Sequence, residues 1–164
     1  MNRVASFMHV SPERFRADWA DAFPGEAAPP LPDLPRRATA GSAGYDFFAP
    51  RAFSLAPGET LKIPTGVRAR IDAGWVLMLF PRSGLGFRYR LQLNNTVGIV
   101  DADYFGAKNE GHIFIKLTNA GDRPLAVAGG EAFAQGVFLP FGVTEDDHAD
   151  GARVGGFGST GGMH

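Results

Sequence analysis

The chain of 164 residues contains no cysteine, so disulfide bonds and zinc sites built from thiolates are both excluded. It also has no long hydrophobic run, because its most apolar stretch, residues 75–80 (WVLMLF), is far too short to span a bilayer. The first residues lack the apolar core and the cleavage site of a signal peptide. We therefore expect a cytoplasmic protein that does not associate with membranes.

An excess of positive charge is missing as well: 16 lysines and arginines stand against 17 aspartates and glutamates, for a net charge of −1. Proteins that bind nucleic acid normally gather a basic excess on one face, so we expect no nucleic-acid partner. The histidines are scattered and none pairs at a metal-ligand spacing. The length is enough for one compact domain rather than two.

Turn-forming residues, in contrast, are abundant. The 22 glycines and 12 prolines are spread along the chain and separate short runs that are apolar or alternate between apolar and polar. Short strands separated by frequent turns are typical of an all-β sandwich, jelly roll or barrel. The predicted strands cover residues 45–48, 60–67, 75–80, 96–100, 113–117 and 133–141.

One helix is predicted near the start of the chain. Residues 11–13 (SPE) supply an N-cap serine, a proline at the first helical position and an early acidic residue. Phe15, Trp19 and Phe23 then form one apolar stripe that ends before a Pro-Gly pair. We expect this helix to pack on the β domain or on a neighbouring subunit, with residues 24–36 as an extended connector.

Five further segments carry residues suited to chemistry, although each has a structural explanation when taken alone. In chain order, those explanations are a glycine at a β-bulge, a strand-to-turn connection, an Asx-type turn, a glutamine that satisfies backbone groups and a frayed glycine-rich tail. The segments are AGYD (43–46), PRSGLG (81–86), NTVGIVDADY (95–104), GEAFAQ (130–135) and RVGGFGSTG (153–161).

The third segment delivers two carboxylates and an aromatic ring within four positions. On a continuous strand Asp101 and Asp103 would share one face and Tyr104 would lie on the other. A turn that begins near Asp101 would instead let Asp101 and Tyr104 converge. A carboxylate held in such a place, if it stays ionised, can accept a proton from water.

The second and fifth segments have the chemistry of an anion site. A strand that ends in Arg-Ser-Gly offers backbone N–H groups, a hydroxyl and a guanidinium to a single anion. In the fifth segment glycines allow the backbone to approach phosphates, while the arginine and hydroxyls contact oxygens and Phe157 stacks on a base.

In order and chemistry the five segments resemble the five motifs of the trimeric dUTPases, from about Arg37 to Gly161. The N-terminal helix and the residues Glu110–His112 resemble a bacterial branch of that family. The resemblance implies a jelly-roll-like β-barrel or sandwich with one short N-terminal helix and a glycine-rich C-terminal lid. The corresponding units are residues 1–36 (helix and connector), 37–150 (β domain) and 151–164 (lid).

The same resemblance implies hydrolysis of dUTP to dUMP and pyrophosphate in a homotrimer whose active sites are shared between subunits. Such an enzyme supplies dUMP for dTTP synthesis and limits uracil in DNA. Asp101 would be the general base that activates the water attacking the α-phosphorus, and Tyr104 would pack under the deoxyribose. The uracil-reading surface would consist of Asn95, Gly98 and Ile99, closed by Phe114.

Phosphate contacts are implied for one set of residues and lid contacts for another: Arg82, Ser83, Gly84 and Gln135 for the phosphates, and Arg153, Phe157, Gly158 and Ser159 for the lid. Asp46 would reach Mg²⁺ only through water, because the triphosphate itself holds most of the ion. Two departures from the family pattern are an alanine, Ala132, in place of an arginine and a fifth motif that is one residue shorter.

Two other functions compete with this interpretation. A dCTP deaminase-like enzyme would share the β fold and the trimer, but that family relies on a glutamate to displace the exocyclic amine. A non-catalytic nucleotide-binding regulatory module could use the same scaffold. The arrangement of Asp101 and Tyr104 and the aromatic lid favour the diphosphatase.

Overall fold

Short antiparallel strands make up most of the protein, which we describe from a computed structural model covering residues 2–149 and 151. The strands are β1 (Ala5–His9), β2 (Tyr45–Phe48), β3 (Phe53–Leu55), β4 (Thr60–Pro64), β5 (Val67–Ile71), β6 (Trp75–Pro81), β7 (Leu91–Leu93), β8 (Gly98–Val100), β9 (Phe114–Asn119), β10 (Leu125–Val127) and β11 (Ala132–Pro140). The helices are α1 (Pro12–Ala22) and α2 (Ser83–Tyr89), and a 3₁₀ turn covers Ala102–Gly106.

The strands form one four-stranded sheet, one three-stranded sheet and two pairs. The four-stranded sheet has the order β2-β11-β6-β8 and the three-stranded sheet the order β4-β9-β7, while β1 pairs with β5 and β3 with β10. Every pairing is antiparallel. The prediction of an all-β protein is therefore confirmed, and β8 lies at one edge of the larger sheet.

The main core lies between these sheets and is filled by alternating positions of their strands. Leu77 and Leu79 of β6, Leu117 of β9 and Phe133 of β11 are all at most 1% exposed. Burying large apolar side chains in this way is the main stabilising contribution in such a fold. The predicted strand at 60–67 is divided into β4 and β5, because Gly66 turns the chain with a φ of +72°.

Helix α1 forms as its sequence predicts. Ser11 is the N-cap and its hydroxyl accepts a hydrogen bond from the N–H of Arg14, and Pro12 occupies the first turn. Phe15 and Trp19 are buried in a small second core, to which Phe23 adds a partly buried ring. The helix packs against β4 of its own chain.

Strand β1 and helix α2 were not expected from the sequence, and neither were the short strands β3, β7 and β10. Strand β1 lies in the segment predicted as helix and connector, and it pairs with β5 from Ala5 opposite Ile71 to His9 opposite Val67. Helix α2 replaces the turn expected after residue 81, even though two of its residues are glycines. Leu85 and Tyr89, four residues apart, pack on the core from one face of α2, so tertiary contacts outweigh its low helix propensity.

Within residues 2–149 and 151, no helix is long and apolar enough to cross a membrane.

Candidate active site

The third motif lies along the edge strand β8 and the turn that follows it. Val100 pairs with Leu77 of β6 and is 2% exposed, whereas Ile99 points outward and is 46% exposed. Gly98 pairs with Leu79, and a Cβ at this glycine would lie 2.9 Å from the Leu79 Cβ. Glycine is therefore needed for β8 to approach β6 so closely.

A tight turn precedes β8 and exposes the residues expected to read a base. Thr96 has a φ of +66°, and its N–H donates to the carbonyl of Leu93 over 2.9 Å. The N–H of Val97 donates to the carbonyl of Asn95 over 2.7 Å, and the Asn95 side chain lies at the surface. As an edge strand, β8 can present main-chain N–H and C=O groups to a ligand beside this turn.

The chain turns at Asp101, which is one of the two arrangements that the sequence left open. Asp101 is extended and exposed at the start of the 3₁₀ turn, and the N–H of Tyr104 donates to its carbonyl over 3.2 Å. Tyr104 is only 2% exposed. A single turn thus contains an exposed carboxylate and, three residues later, a buried aromatic ring.

Hydrogen bonds fix the hydroxyl end of the Tyr104 ring. The hydroxyl donates to the backbone carbonyl of His112 over 2.6 Å and accepts from the side-chain amide of Asn109 over 2.7 Å. A buried tyrosine needs such partners for its hydroxyl, and two of them leave the ring little freedom. Sequence analysis did not identify Asn109 or His112, which lie in the loop after the turn.

The first, second and fourth motifs meet at the far end of the four-stranded sheet. Gln135 of β11 pairs with Asp46 on one side and with Phe80 of β6 on the other. Its side-chain amide donates to the carbonyl of Pro81 over 3.2 Å. A Cβ at Gly44 would lie 2.6 Å from the Gln135 Oε1, so the glycine of the first motif makes room for this glutamine.

Arg82 begins α2 at the same end of the sheet. Its N–H donates to the carbonyl of Phe133, and its guanidinium donates to the carbonyl of Ala132 over 3.4 Å. Ser83 and Gly84 form the first turn of α2 directly after it. The structure therefore brings Arg82, Ser83, Gly84, Gln135 and Asp46 into one region.

Asp101 lies at the opposite end of this sheet in the same chain. It follows Val100, which pairs with Leu77, whereas Arg82 follows Pro81. The residue of β6 that lies opposite Asp101 is six positions before Arg82 in the chain. At the usual rise per residue of a strand, this separation corresponds to about 20 Å. Within one chain, the Asp101 carboxylate of the third motif therefore lies far from Arg82 and Ser83 of the second motif.

Phe114, expected to close the base-binding surface, lies at the start of β9. Its ring packs against the buried ring of His112, with the centroids 4.6 Å apart and the planes inclined by 41°, and the Nζ of Lys62 lies 4.7 Å from its centroid. The lid residues Arg153, Phe157, Gly158 and Ser159 lie outside the residues that the structure describes.

Two titratable groups near the turn have shifted pKa values. Hydrogen bonds from the backbone and the hydroxyl of Ser11 lower the pKa of Glu110. Burial lowers the pKa of His112, although its hydrogen bond to Asp18 acts in the opposite direction. His112 is therefore a neutral group inside the protein, where its ring serves as a hydrogen-bonding element.

No metal cage is built into the described part of the chain, where no three histidine, aspartate or glutamate side chains form a metal-binding cluster. Asp46 offers one carboxylate at the end of the sheet where Arg82 and Gln135 lie. A single carboxylate fits an Mg²⁺ ion that keeps waters and takes most of its oxygen ligands from a bound phosphate chain.

Known proteins are similar to this chain in both sequence and fold. A model of the dUTPase family matches residues 32–161. The deoxyuridine 5′-triphosphate nucleotidohydrolase of Lactococcus lactis is 44% identical over 132 residues, which are 79% of this chain and 88% of that protein. The crystal structure of a dUTPase from Streptococcus mutans has a TM-score of 0.64 and 33% sequence identity, covering 85% of this chain and 98% of that one.

A dUTPase from phage phi11 of S. aureus shares the fold with a TM-score of 0.64 at 20% identity, covering 91% of this chain and 98% of that one. Its structure is described as showing the coordination of a structural Mg(II) ion. The fold is thus the jelly roll of these proteins, as expected from the five motifs. With the match of the family model over most of the chain, the protein belongs to the dUTPase family.

Proposed function

We propose that this protein is a dUTP diphosphatase, which hydrolyses dUTP to dUMP and pyrophosphate. One observation carries the proposal within the family: Asp101 stands exposed at the end of edge strand β8, one turn before the anchored ring of Tyr104. In this role the enzyme supplies dUMP for dTTP synthesis and limits uracil in DNA. We place it in the cytoplasm, with no nucleic acid or membrane as partner.

The reaction needs a base beside the α-phosphorus. The Asp101 carboxylate accepts a proton from water as the water oxygen forms a bond to the α-phosphorus. The bond from that phosphorus to the oxygen bridging the α- and β-phosphates breaks, and pyrophosphate leaves with the electron pair. Asp101 is exposed at the surface, so water and the substrate can both reach it.

Recognition of the base and sugar follows from the same strand. Main-chain groups of β8 at Gly98 and Ile99, together with Asn95, would pair with the edge of uracil, and Phe114 would close the surface. Cytosine is rejected because a buried donor or acceptor would lose its partner. The Tyr104 ring, held by its hydroxyl, leaves no space for a 2′-hydroxyl group.

The phosphates would contact Arg82, Ser83, Gly84 and Gln135 at the other end of the sheet, and the lid residues Arg153, Phe157, Gly158 and Ser159. Asp46 would hold Mg²⁺ through water while the phosphates supply most of its ligands, and the ion would neutralise charge on the phosphate oxygens. The family pattern has an arginine at the position of Ala132. Because the guanidinium of Arg82 donates a hydrogen bond to the Ala132 carbonyl, a guanidinium group lies beside this position in the present chain as well.

A homotrimer with shared sites accounts for the distance between these groups. Asp101 and Arg82 are separated by about 20 Å along β6 at the usual strand rise, so one substrate would contact Asp101 of one subunit and Arg82 of another. Large exposed side chains also suit subunit contacts: Phe87 is 93%, Phe141 53% and Val143 71% exposed. Light scattering that finds a fully active monomer would refute this assembly.

The test combines a substrate panel with one substitution. The parent is incubated with dUTP, dCTP, dTTP and UTP in the presence of Mg²⁺, and pyrophosphate and ammonia are both measured. Pyrophosphate from dUTP alone supports the proposal, ammonia from dCTP supports the deaminase, and no product supports the non-catalytic module.

Asp101→Asn should then lower kcat for dUTP by about 10²–10⁴-fold while nucleotide binding persists. Asp103→Asn is the matched control, because it makes the same change on an exposed carboxylate two residues away. Equal losses in the two variants, or activity of Asp101→Asn near that of the parent, would exclude Asp101 as the base.

A further inference from the structure

Helix α1 is tied at two points to the loop that follows the 3₁₀ turn. The N–H and the hydroxyl of Ser11 donate to the two carboxylate oxygens of Glu110 over 2.8 and 2.7 Å. Two turns further along the helix, Asp18 lies 2.6 Å from the Nδ1 of His112. Both ties join residues more than ninety positions apart, so they fix the helix to the loop.

The ring of His112 is held from two sides. Its Nε2 accepts a hydrogen bond from the N–H of Gly66 over 2.8 Å, so in the neutral ring the proton is on Nδ1 and is donated to Asp18. Arg14 in turn holds the Asp18 carboxylate, with its Nε 3.0 Å from Oδ2. His112 is fully buried, so its hydrogen bond from Gly66 is shielded from water and its hydrogen bond to Asp18 is partly shielded.

His112 also contacts both of the aromatic residues assigned to the nucleoside. Its backbone carbonyl accepts the hydrogen bond from the Tyr104 hydroxyl, and its ring packs at a tilt against the ring of Phe114. A displacement of His112 would therefore move the anchor of one ring and the support of the other.

The backbone between these groups leaves no room for independent movement. A Cβ at Gly111 would lie 2.7 Å from the Tyr104 carbonyl oxygen and 2.9 Å from the Phe105 Cα. On the opposite side the guanidinium of Arg68 lies 3.7 Å from the centroid of the Phe105 ring and donates to the Phe105 carbonyl. A change in position at His112 is thus transmitted to Tyr104.

We infer that Asp18 and His112 are positioning residues, through which helix α1 sets the preference of the enzyme for a deoxyribose over a ribose. Helix α1 precedes residues 32–161, which the family model matches, so this control would come from a segment N-terminal to that match. The inference rests on the proposed function, because it assigns Tyr104 to the sugar and Phe114 to the base.

The test compares two changes from carboxylate to amide on the same helix. Asp18→Asn weakens the contact to His112, whereas Glu13→Gln removes an exposed first-turn carboxylate that pairs with Arg16. We expect Asp18→Asn to lower the ratio of kcat/KM for dUTP to that for UTP by about tenfold, since small misplacements near reacting groups have large effects. Glu13→Gln should keep the parental ratio.

Two further measurements keep the result interpretable. Hydrogen exchange followed by mass spectrometry should show faster exchange at residues 105–112 in Asp18→Asn than in Glu13→Gln. Glu110→Gln weakens the second tie at a partly exposed site, and it should lower the ratio as well even if Asp18→Asn does not fold.

The outcomes separate this inference from the proposed function. A parental ratio in folded Asp18→Asn, or in Glu110→Gln when Asp18→Asn does not fold, would overturn the inference alone, even if thermal stability falls. A parent that does not hydrolyse dUTP would overturn the proposed function and this inference together. If Glu13→Gln lowers the ratio of kcat/KM values as much as Asp18→Asn does, the inference is also overturned, because the helix would then act through general stability.

Discussion

Gly111→Ala is the substitution with the largest effect that the structure predicts near the active site. Gly111 has a φ of +69° and packs directly against the backbone of the 3₁₀ turn. A methyl group there would meet the Tyr104 carbonyl oxygen at 2.7 Å and the Phe105 Cα at 2.9 Å. Neither atom belongs to a flexible side chain, so the backbone of the turn itself must move.

Two separate costs add up at this position. An L-residue in the left-handed region costs about 1–2 kcal/mol, and overpacking a well-packed site typically costs about 1–3 kcal/mol. Gly58→Ala isolates the first cost, because Gly58 has a φ of +81° and no atom within 4 Å of its added Cβ. We therefore expect Gly111→Ala to lower the free energy of unfolding by about 1–3 kcal/mol more than Gly58→Ala.

Urea unfolding of the three proteins at one fixed protein concentration measures this difference. The concentration must be fixed because assembly contributes to the measured stability of an oligomer. In parallel, kcat/KM for dUTP should fall in Gly111→Ala and not in Gly58→Ala, since only the former displaces Tyr104. If the two variants unfold within about 0.5 kcal/mol of one another, the close packing of Gly111 on the turn is refuted.

Three other predictions concern the sugar, the buried histidine and the C-terminal segment. Tyr104→Ala should weaken discrimination between dUTP and UTP because it opens space beside C2′; an unchanged ratio of kcat/KM for the two substrates would contradict its assignment. The pKa of His112 is lowered by burial, so below its ordinary value of 6.5 the unfolded chain binds a proton that the folded chain does not. The free energy of unfolding should therefore fall as the pH falls below that value. Urea unfolding between pH 7.5 and 5.5 should show a smaller decline in His112→Asn than in the parent, and equal declines would exclude His112 as a source of this pH dependence. Deleting residues 152–164 should leave a folded protein with most of its dUTP hydrolysis lost, whereas full activity of the truncated chain would show that this segment is not a lid.

Local signals in the sequence predicted the elements that depend on neighbouring residues. The cap at Ser11 and the stripe of Phe15 and Trp19 predicted α1, and alternation or apolar runs predicted β2 and β6. At Asp101 local evidence left a continuous strand and a turn both open, and the structure shows the turn. Helix α2 was not predicted because its two glycines lower helix propensity, and the packing of Leu85 and Tyr89 on the core explains why it forms.

By itself the sequence determined the family, the all-β class and the order of the motifs, because these depend on residue types and on spacings of a few positions. Tertiary structure alone decided the partners of His112: in sequence it is one of four scattered histidines, but folding brings it to Asp18, 94 positions away. It also decided that Asp101 and Arg82 lie at opposite ends of one sheet. Strand register and helix packing set both results, and neither can be derived from local periodicity, because each is fixed by contacts between segments far apart in the chain.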